Sequence, residues 1–169
     1  MKKSLILTGM MGVGKSTIGK SLSRRLNMRF EDIDAIIEKK NSLSIKEIFD
    51  KKGEEFFRKI EEEETLDYIK EQNLVIALGG GAFMNAKIRE GVKKYCVSIW
   101  LDLNIKELFE RIKLNKRRPL LQSKSSEKDV EKLYEKRKQT YSFADYKIDC
   151  NSKAEGEIVK EILKIYENI

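Results

Sequence analysis

The stretch GMMGVGKST (9–17) constrains this chain more than any other. It follows the apolar run SLILT (4–8) directly and opens a segment with Ile18, Leu22 and Leu26 four residues apart. The run reads as a strand and the spacing as a helix. Between them lies G-x-x-x-x-G-K-[ST], a pattern whose meaning depends on that strand–loop–helix context. Gly9, Gly12 and Gly14 let the backbone wrap an anion with several N–H groups pointing inward. The helix N-terminus adds roughly half a positive charge there. In this reading Gly12, Val13, Gly14, Lys15, Ser16 and Thr17 hold the phosphates of ATP. Lys15 bridges the β- and γ-phosphates, and Ser16 gives its hydroxyl to Mg2+. A glycine-rich turn that binds nothing is the competing reading, and the order strand, loop, helix argues against it.

The rest of the chain continues the alternation. Strands are expected at MRFED (28–32), NLVIAL (73–78), YCVSIWL (95–101) and YKIDC (146–150). Helices are expected after Asp34, after a Ser44/Glu47 capping box, and over 53–71 with Phe56, Ile60 and Ile69 on the apolar side. Further helices are expected over 85–94, over 104–112 behind a second box at Asn104 and Glu107, over about 127–142, and over 154–167. Strands separated by helices predict an α/β fold with a parallel sheet covered on both faces. At 169 residues the chain is expected to be a single domain, 1–169, with one polar, irregular insertion at about 113–126 that holds Pro119.

Composition removes several chemistries. Histidine is absent, so acid–base work falls to Asp, Glu, Lys, Tyr or Cys. Two cysteines without C-x-x-C spacing argue against a disulfide or zinc framework. No apolar run approaches the ~18 residues of a membrane span, and MKKSLILTGMM lacks the cleavage site of a leader, so a cytoplasmic protein with no membrane partner is expected. The net charge of +7 is concentrated in residues 1–30 and 111–140. Two separate basic segments suit a small polyanion held between them, and no nucleic-acid partner is expected.

Other residues supply candidate chemistry. Asp32 and Asp34 in FEDID can leave a strand end pointing the same way, one carboxylate serving the metal and the other the phosphoryl acceptor. Asp102, at the end of VSIWLD, reads instead as part of the turn before the helix capped by Asn104. Arg58 and Glu61 are three apart on one helix face. They form either a surface ion pair or an arginine fixed for an anionic acceptor, while the run Glu61 to Glu64 otherwise reads as a solvated face. KRRPLL (116–121) offers arginines on a closing lid, and LYEKRKQTY offers Arg137. LGGGAF (78–83) places three side-chain-free positions after a strand, which requires a close approach to the backbone.

Taken together, GMMGVGKST, FEDIDAIIE, GEEFFRKIE, LGGGAF, RRPLL and EKRKQTY resemble the shikimate kinase family, in order and spacing, over nearly the whole chain. The resemblance implies a three-layer α/β/α P-loop kinase of the nucleoside monophosphate kinase type. A five-stranded parallel sheet, a short lid at about 113–126 and an acceptor-binding region at about 33–60 go with it. It implies transfer of the γ-phosphoryl group of ATP to the 3-hydroxyl of shikimate, with Mg2+, on the route to aromatic amino acids. By resemblance Asp32 and Ser16 serve Mg2+, while Asp34 holds the acceptor hydroxyls and acts as base. Arg58 and Arg137 grip the acceptor carboxylate, Arg118 is the lid arginine, with its neighbour Arg117 a one-residue alternative, Arg111 packs on adenine, and Asn151, Ser152 and Lys153 lie across the base. Gly79, Gly80 and Gly81 then bring backbone N–H groups to the acceptor, and a Cβ at Gly80 or Gly81 is expected to occupy acceptor space. A monomer is expected. The alternatives are a kinase for another small acceptor, such as gluconate or a nucleoside monophosphate, and a catalytically silent nucleotide-binding module.

Overall fold

The computed structural model describes residues 3–114 and 125–169. Five strands, β1 (Ser4–Thr8), β2 (Arg29–Asp32), β3 (Leu74–Ala77), β4 (Cys96–Asp102) and β5 (Tyr146–Asp149), pair in parallel in the order β2-β3-β1-β4-β5. The three central strands are apolar at nearly every position and buried on both faces, as a parallel sheet covered by helices requires. The outer strands β2 and β5 are more exposed, and Arg29, Glu31 and Lys147 carry charge on those edges. Charged edges discourage further strand pairing.

The helices are α1 (Lys15–Leu26), α2 (Ile33–Asn41), α3 (Ile45–Tyr68), α4 (Ala86–Tyr95), α5 (Ile105–Lys113), α6 (Glu127–Tyr141) and α7 (Glu155–Glu167). Helix α1 packs on β2 and β3, with Ile18 and Leu22 buried, and meets α7, whose Ile158 and Ile162 are buried too. The Ser44/Glu47 capping box forms as expected, and Ser126 with Asp129 makes a second one at the start of α6. At α5 the arrangement differs from the expected box. Asn104 caps Glu107 N–H, but the Asn104 backbone N–H donates to Asn151 Oδ1 at 2.9 Å, so a side chain from beyond β5 takes the role expected of Glu107.

Helix α3 departs most from the sequence expectation. The segment from Ile45 to Tyr68 is one continuous run interrupted at Gly53, where φ 84° and ψ 167° turn the chain between two helical halves. The second half rolls Phe57, Glu61 and Thr65 inward, while Phe56 and Ile60 are only partly buried. Ile69 is buried as expected, but the rest of the buried stripe is one residue away from the predicted Phe56 and Ile60 and contains a carboxylate. The apolar spacing of Phe56 and Ile60 imitates the core stripe because the neighbouring Phe57 belongs to a stripe that is partly polar.

Candidate active site

The sheet order puts the C-terminal ends of β1, β2 and β3 side by side, and the loops that follow them enclose one cleft of about 440 Å³. That volume suits a small ligand. Its wall includes Gly12, Gly14, Lys15, Ser16 and Thr17 from the first loop and α1, and Asp32 and Asp34 from the β2–α2 junction. Arg58 and Glu61 come from α3, Gly79, Gly80 and Gly81 from the loop after β3, Arg111 from α5 and Arg137 from α6.

In the first loop, Gly14 has φ 110° and sits at the N-cap of α1, a conformation that a Cβ would oppose. The Lys15 ammonium is buried and donates to the carbonyl oxygens of Gly9 and Met10 at 2.7 and 3.0 Å. Arg111 reaches the same loop from α5, donating to Val13 O at 3.2 Å. Val13 itself is a core residue, 2% exposed, so the anion contact expected of it would come from its backbone.

Asp32 and Asp34 do not leave a strand end together, as the sequence reading expected. Asp32 ends β2 and caps α2, accepting from Ala35 N–H at 3.3 Å, whereas Asp34 lies inside the first turn of α2. The helix begins earlier than expected, because Asp32 is itself the capping side chain. The two carboxylates consequently serve different places. Ser16 Oγ donates to Asp32 Oδ2 at 2.5 Å, joining the two oxygens proposed for a metal. Asp34 faces Glu61 and the loop at Gly79.

Arg58 and Glu61 form no surface pair. Glu61 is 2% exposed and accepts from Arg58 Nη1 at 2.6 Å, while the guanidinium lies 5.1 Å from the Phe57 ring centroid. Glu61 thus corrects the expectation of a solvated acidic face. Its burial pushes the carboxyl up to about 7, against the downward pull of Arg58. Arg137 is 5% exposed, and its Nη1 has no hydrogen-bond partner among the described residues. A buried guanidinium edge in that state favours an incoming anion.

The glycines have a physical explanation that the sequence did not offer. None of Gly79, Gly80 and Gly81 has a positive φ, so conformational freedom is not what selects them. A Cβ at Gly79 would meet Glu61 Oε1 at 2.7 Å and Asp34 Oδ1 at 2.8 Å, and one at Gly81 would meet the Arg58 guanidinium at 2.7 Å. At Gly80 it would meet Arg137 Nη1 and Met11 N, both at 3.3 Å. The atoms that first come close to this backbone are the pocket's own charged groups, rather than the acceptor alone. Tyr141, fully buried one turn beyond Arg137, donates its hydroxyl to Gly80 O at 2.5 Å. Tyr141 escaped the sequence reading, as did Phe49 and Phe57, which line the cleft with ring centroids 4.8 Å apart.

Asp102, already set aside as a metal ligand, is not part of the cleft wall. It ends β4 and is held by Tyr134 and Lys147, both at 2.9 Å. Asn151, Ser152 and Lys153 are not part of the cleft wall: Asn151 braces the start of α5, and Lys153 pairs with Glu161 at 2.7 Å. Arg117 and Arg118, with most of the expected lid, lie outside the described residues.

A family model described as "Shikimate kinase" matches residues 11–167. A shikimate kinase of Sulfurihydrogenibium sp. is 39% identical over 161 residues, covering 95% of this chain and 96% of that protein. One from Persephonella marina is 41% identical, covering 95% and 97%. Among solved structures, shikimate kinase from Acinetobacter baumannii in complex with shikimate superposes with a TM-score of 0.95 at 32% identity, covering 99% of this chain and 94% of that one.

Proposed function

The chain belongs to the shikimate kinase family, and on that premise we propose how its residues divide the work of the reaction. It is an ATP-dependent kinase that phosphorylates shikimate. In our reading the 3-hydroxyl accepts the γ-phosphoryl group, giving shikimate 3-phosphate and ADP. One observation carries the assignment of the acceptor pocket: Arg58 and the unpartnered edge of Arg137 share a cleft with Lys15 and Asp34. A planar guanidinium fork suits a carboxylate, and two of them suit a small acid better than a neutral sugar or a base.

Phosphoryl transfer asks chiefly for positioning and charge neutralisation. Gly12 to Thr17 hold the phosphates, and Lys15 exchanges the carbonyls of Gly9 and Met10 for phosphate oxygens when ATP arrives. Arg111 covers the nucleotide side, and Asn151, Ser152 and Lys153 remain proposed contacts for the base. Arg118 is proposed to stabilise the transferring group from the lid. Asp34 orients the acceptor hydroxyl and takes its proton, with Arg58 and Arg137 holding the carboxylate and the glycine loop closing the pocket.

The Ser16 hydroxyl and Asp32 carboxylate, 2.5 Å apart, form the hard-oxygen pair that suits Mg2+, which takes few protein ligands and completes its shell with phosphates and water. Bound there, Mg2+ would neutralise charge on the β- and γ-phosphates. The test is ADP release from MgATP with shikimate, gluconate and AMP supplied separately. Saturable turnover with shikimate alone is expected. Turnover with another acceptor only would keep the phosphate loop and discard the pocket assignment.

A further inference from the structure

Glu61 holds Arg58, but its surroundings ask more of it than an ion pair. The charged groups facing it are Arg58 on its own helix, Asp34 from α2 and Arg137 from α6. On its remaining side lies the backbone at Gly79, where an added Cβ would touch Glu61 Oε1 and Asp34 Oδ1 alike. Oε1 of Glu61 has no hydrogen-bond partner among the described residues. Among the groups that face Glu61, two arginines and two carboxylates sum to zero when all are ionised. Glu54, 3.5 Å from Arg58, is more than half exposed and its charge is screened by solvent. An acid acceptor adds one negative charge to this buried group, and an uncompensated charge in such a place costs several kcal/mol. A single proton restores neutrality. Glu61 is where it fits, since it is more deeply buried than Asp34 and its free oxygen faces the second carboxylate.

We propose that Glu61 carries a proton while the acid acceptor is bound, so that it matches the pocket's net charge to a monoanion and acceptor binding draws a proton from solvent above neutral pH. The proposal rests on the reading of this pocket as the shikimate site. Burial already holds the Glu61 carboxyl near 7 before an acceptor arrives. A bound anion raises it further, so the complex binds more protons than the free protein in the window above about 7. In that window apparent affinity falls as pH rises, by up to about tenfold per pH unit for one whole proton.

Titration calorimetry of shikimate into the full chain, in two buffers of different ionisation heat, reads the uptake directly. We expect almost none at about pH 6 and close to one proton per shikimate at about pH 8.5, with Kd rising up to tenfold per unit between. Glu61→Gln copies the shape of the protonated acid. It is expected to bind shikimate with little pH dependence and no uptake. Wild-type binding without uptake at the higher pH, or uptake that persists in Glu61→Gln, would overturn the proposal. Infrared difference spectra of the wild type give a check that needs no variant. A protonated carboxyl band must appear when shikimate is added at the higher pH, and its absence refutes the assignment. Failure of shikimate to bind at either pH would overturn the acceptor reading itself and this proposal with it.

Discussion

At the scale of single residues, the pocket is built by side chains that occupy the space where neighbouring side chains would otherwise be. Gly81 has φ −100° and ψ −10°, which alanine adopts without strain, so its replacement acts only through the added methyl. That methyl would displace the Arg58 guanidinium, the mobile end of a long side chain. Gly81→Ala should therefore fold, and the loss of a charged hydrogen bond predicts a KM for shikimate about tenfold or more higher with KM for ATP nearly unchanged. Gly80→Ala, whose methyl would come no closer than 3.3 Å to Arg137 Nη1 and Met11 N, should raise KM for shikimate more weakly. Equal effects on both substrates would contradict the steric account. Asp34→Asn should lower kcat by about 10²–10⁴-fold if Asp34 accepts the proton, and only a few-fold if it merely orients the hydroxyl. The sequence already pointed to Arg58, Arg137, Asp34 and the glycines. It was silent on why the glycines are needed, because the cause is the long-range meeting of α2, α3 and α6 with one backbone segment, and nothing local records that meeting.

At the scale of elements, the legible parts were those governed by short-range rules. Strand runs, the Ser44 cap and the start of α7 follow from residues within a turn of one another. The inward stripe of α3 was not legible, since Phe56 and Ile60 have the apolar spacing while Phe57, Glu61 and Thr65 face the interior. Gly53 explains part of this. It resets the helix phase halfway, and its φ 84°, ψ 167° is a conformation open essentially to glycine alone. Nothing lies within 4 Å of an added Cβ there, so the penalty for Gly53→Ala is conformational, not steric. We expect a loss of about 1–3 kcal/mol in denaturant unfolding, read as a shift of midpoint with unchanged slope. At the start of α6, Ser126→Ala removes the helix cap and should cost about 1 kcal/mol.

At the scale of the whole molecule, one buried carboxylate gives stability a pH dependence of unusual sign. The Glu61 carboxyl moves from an ordinary 4.5 up to about 7 on folding, because burial opposes its ionised form. Between those values the folded chain binds more protons than the unfolded one, so this contribution is complete below about 4.5 and is lost as pH rises through about 7. The full difference is on the order of 3 kcal/mol. Exposed carboxylates whose ionised forms are favoured, such as Glu47 and Asp129, act in the opposite sense and only at lower pH. Comparing thermal midpoints of the wild type and Glu61→Gln at pH 5 and pH 8 isolates the effect, which should appear as a gain for the variant only at the higher pH. The two thiols add nothing of the kind. Burial raises Cys96 to about 12 and Cys150 to about 11, so alkylating reagents should leave activity intact. Helix α6 has a wider consequence. It begins just beyond the basic insertion, carries Arg137 into the pocket, anchors the glycine loop through Tyr141, and touches the end of β4 through Tyr134. It also packs on α5, whose Arg111 lines the nucleotide side, so one helix connects both halves of the cleft. If one substrate shifts that helix and thereby tightens its companion's grip, the companion must return the favour by the same factor, so synergy measured from either side should agree.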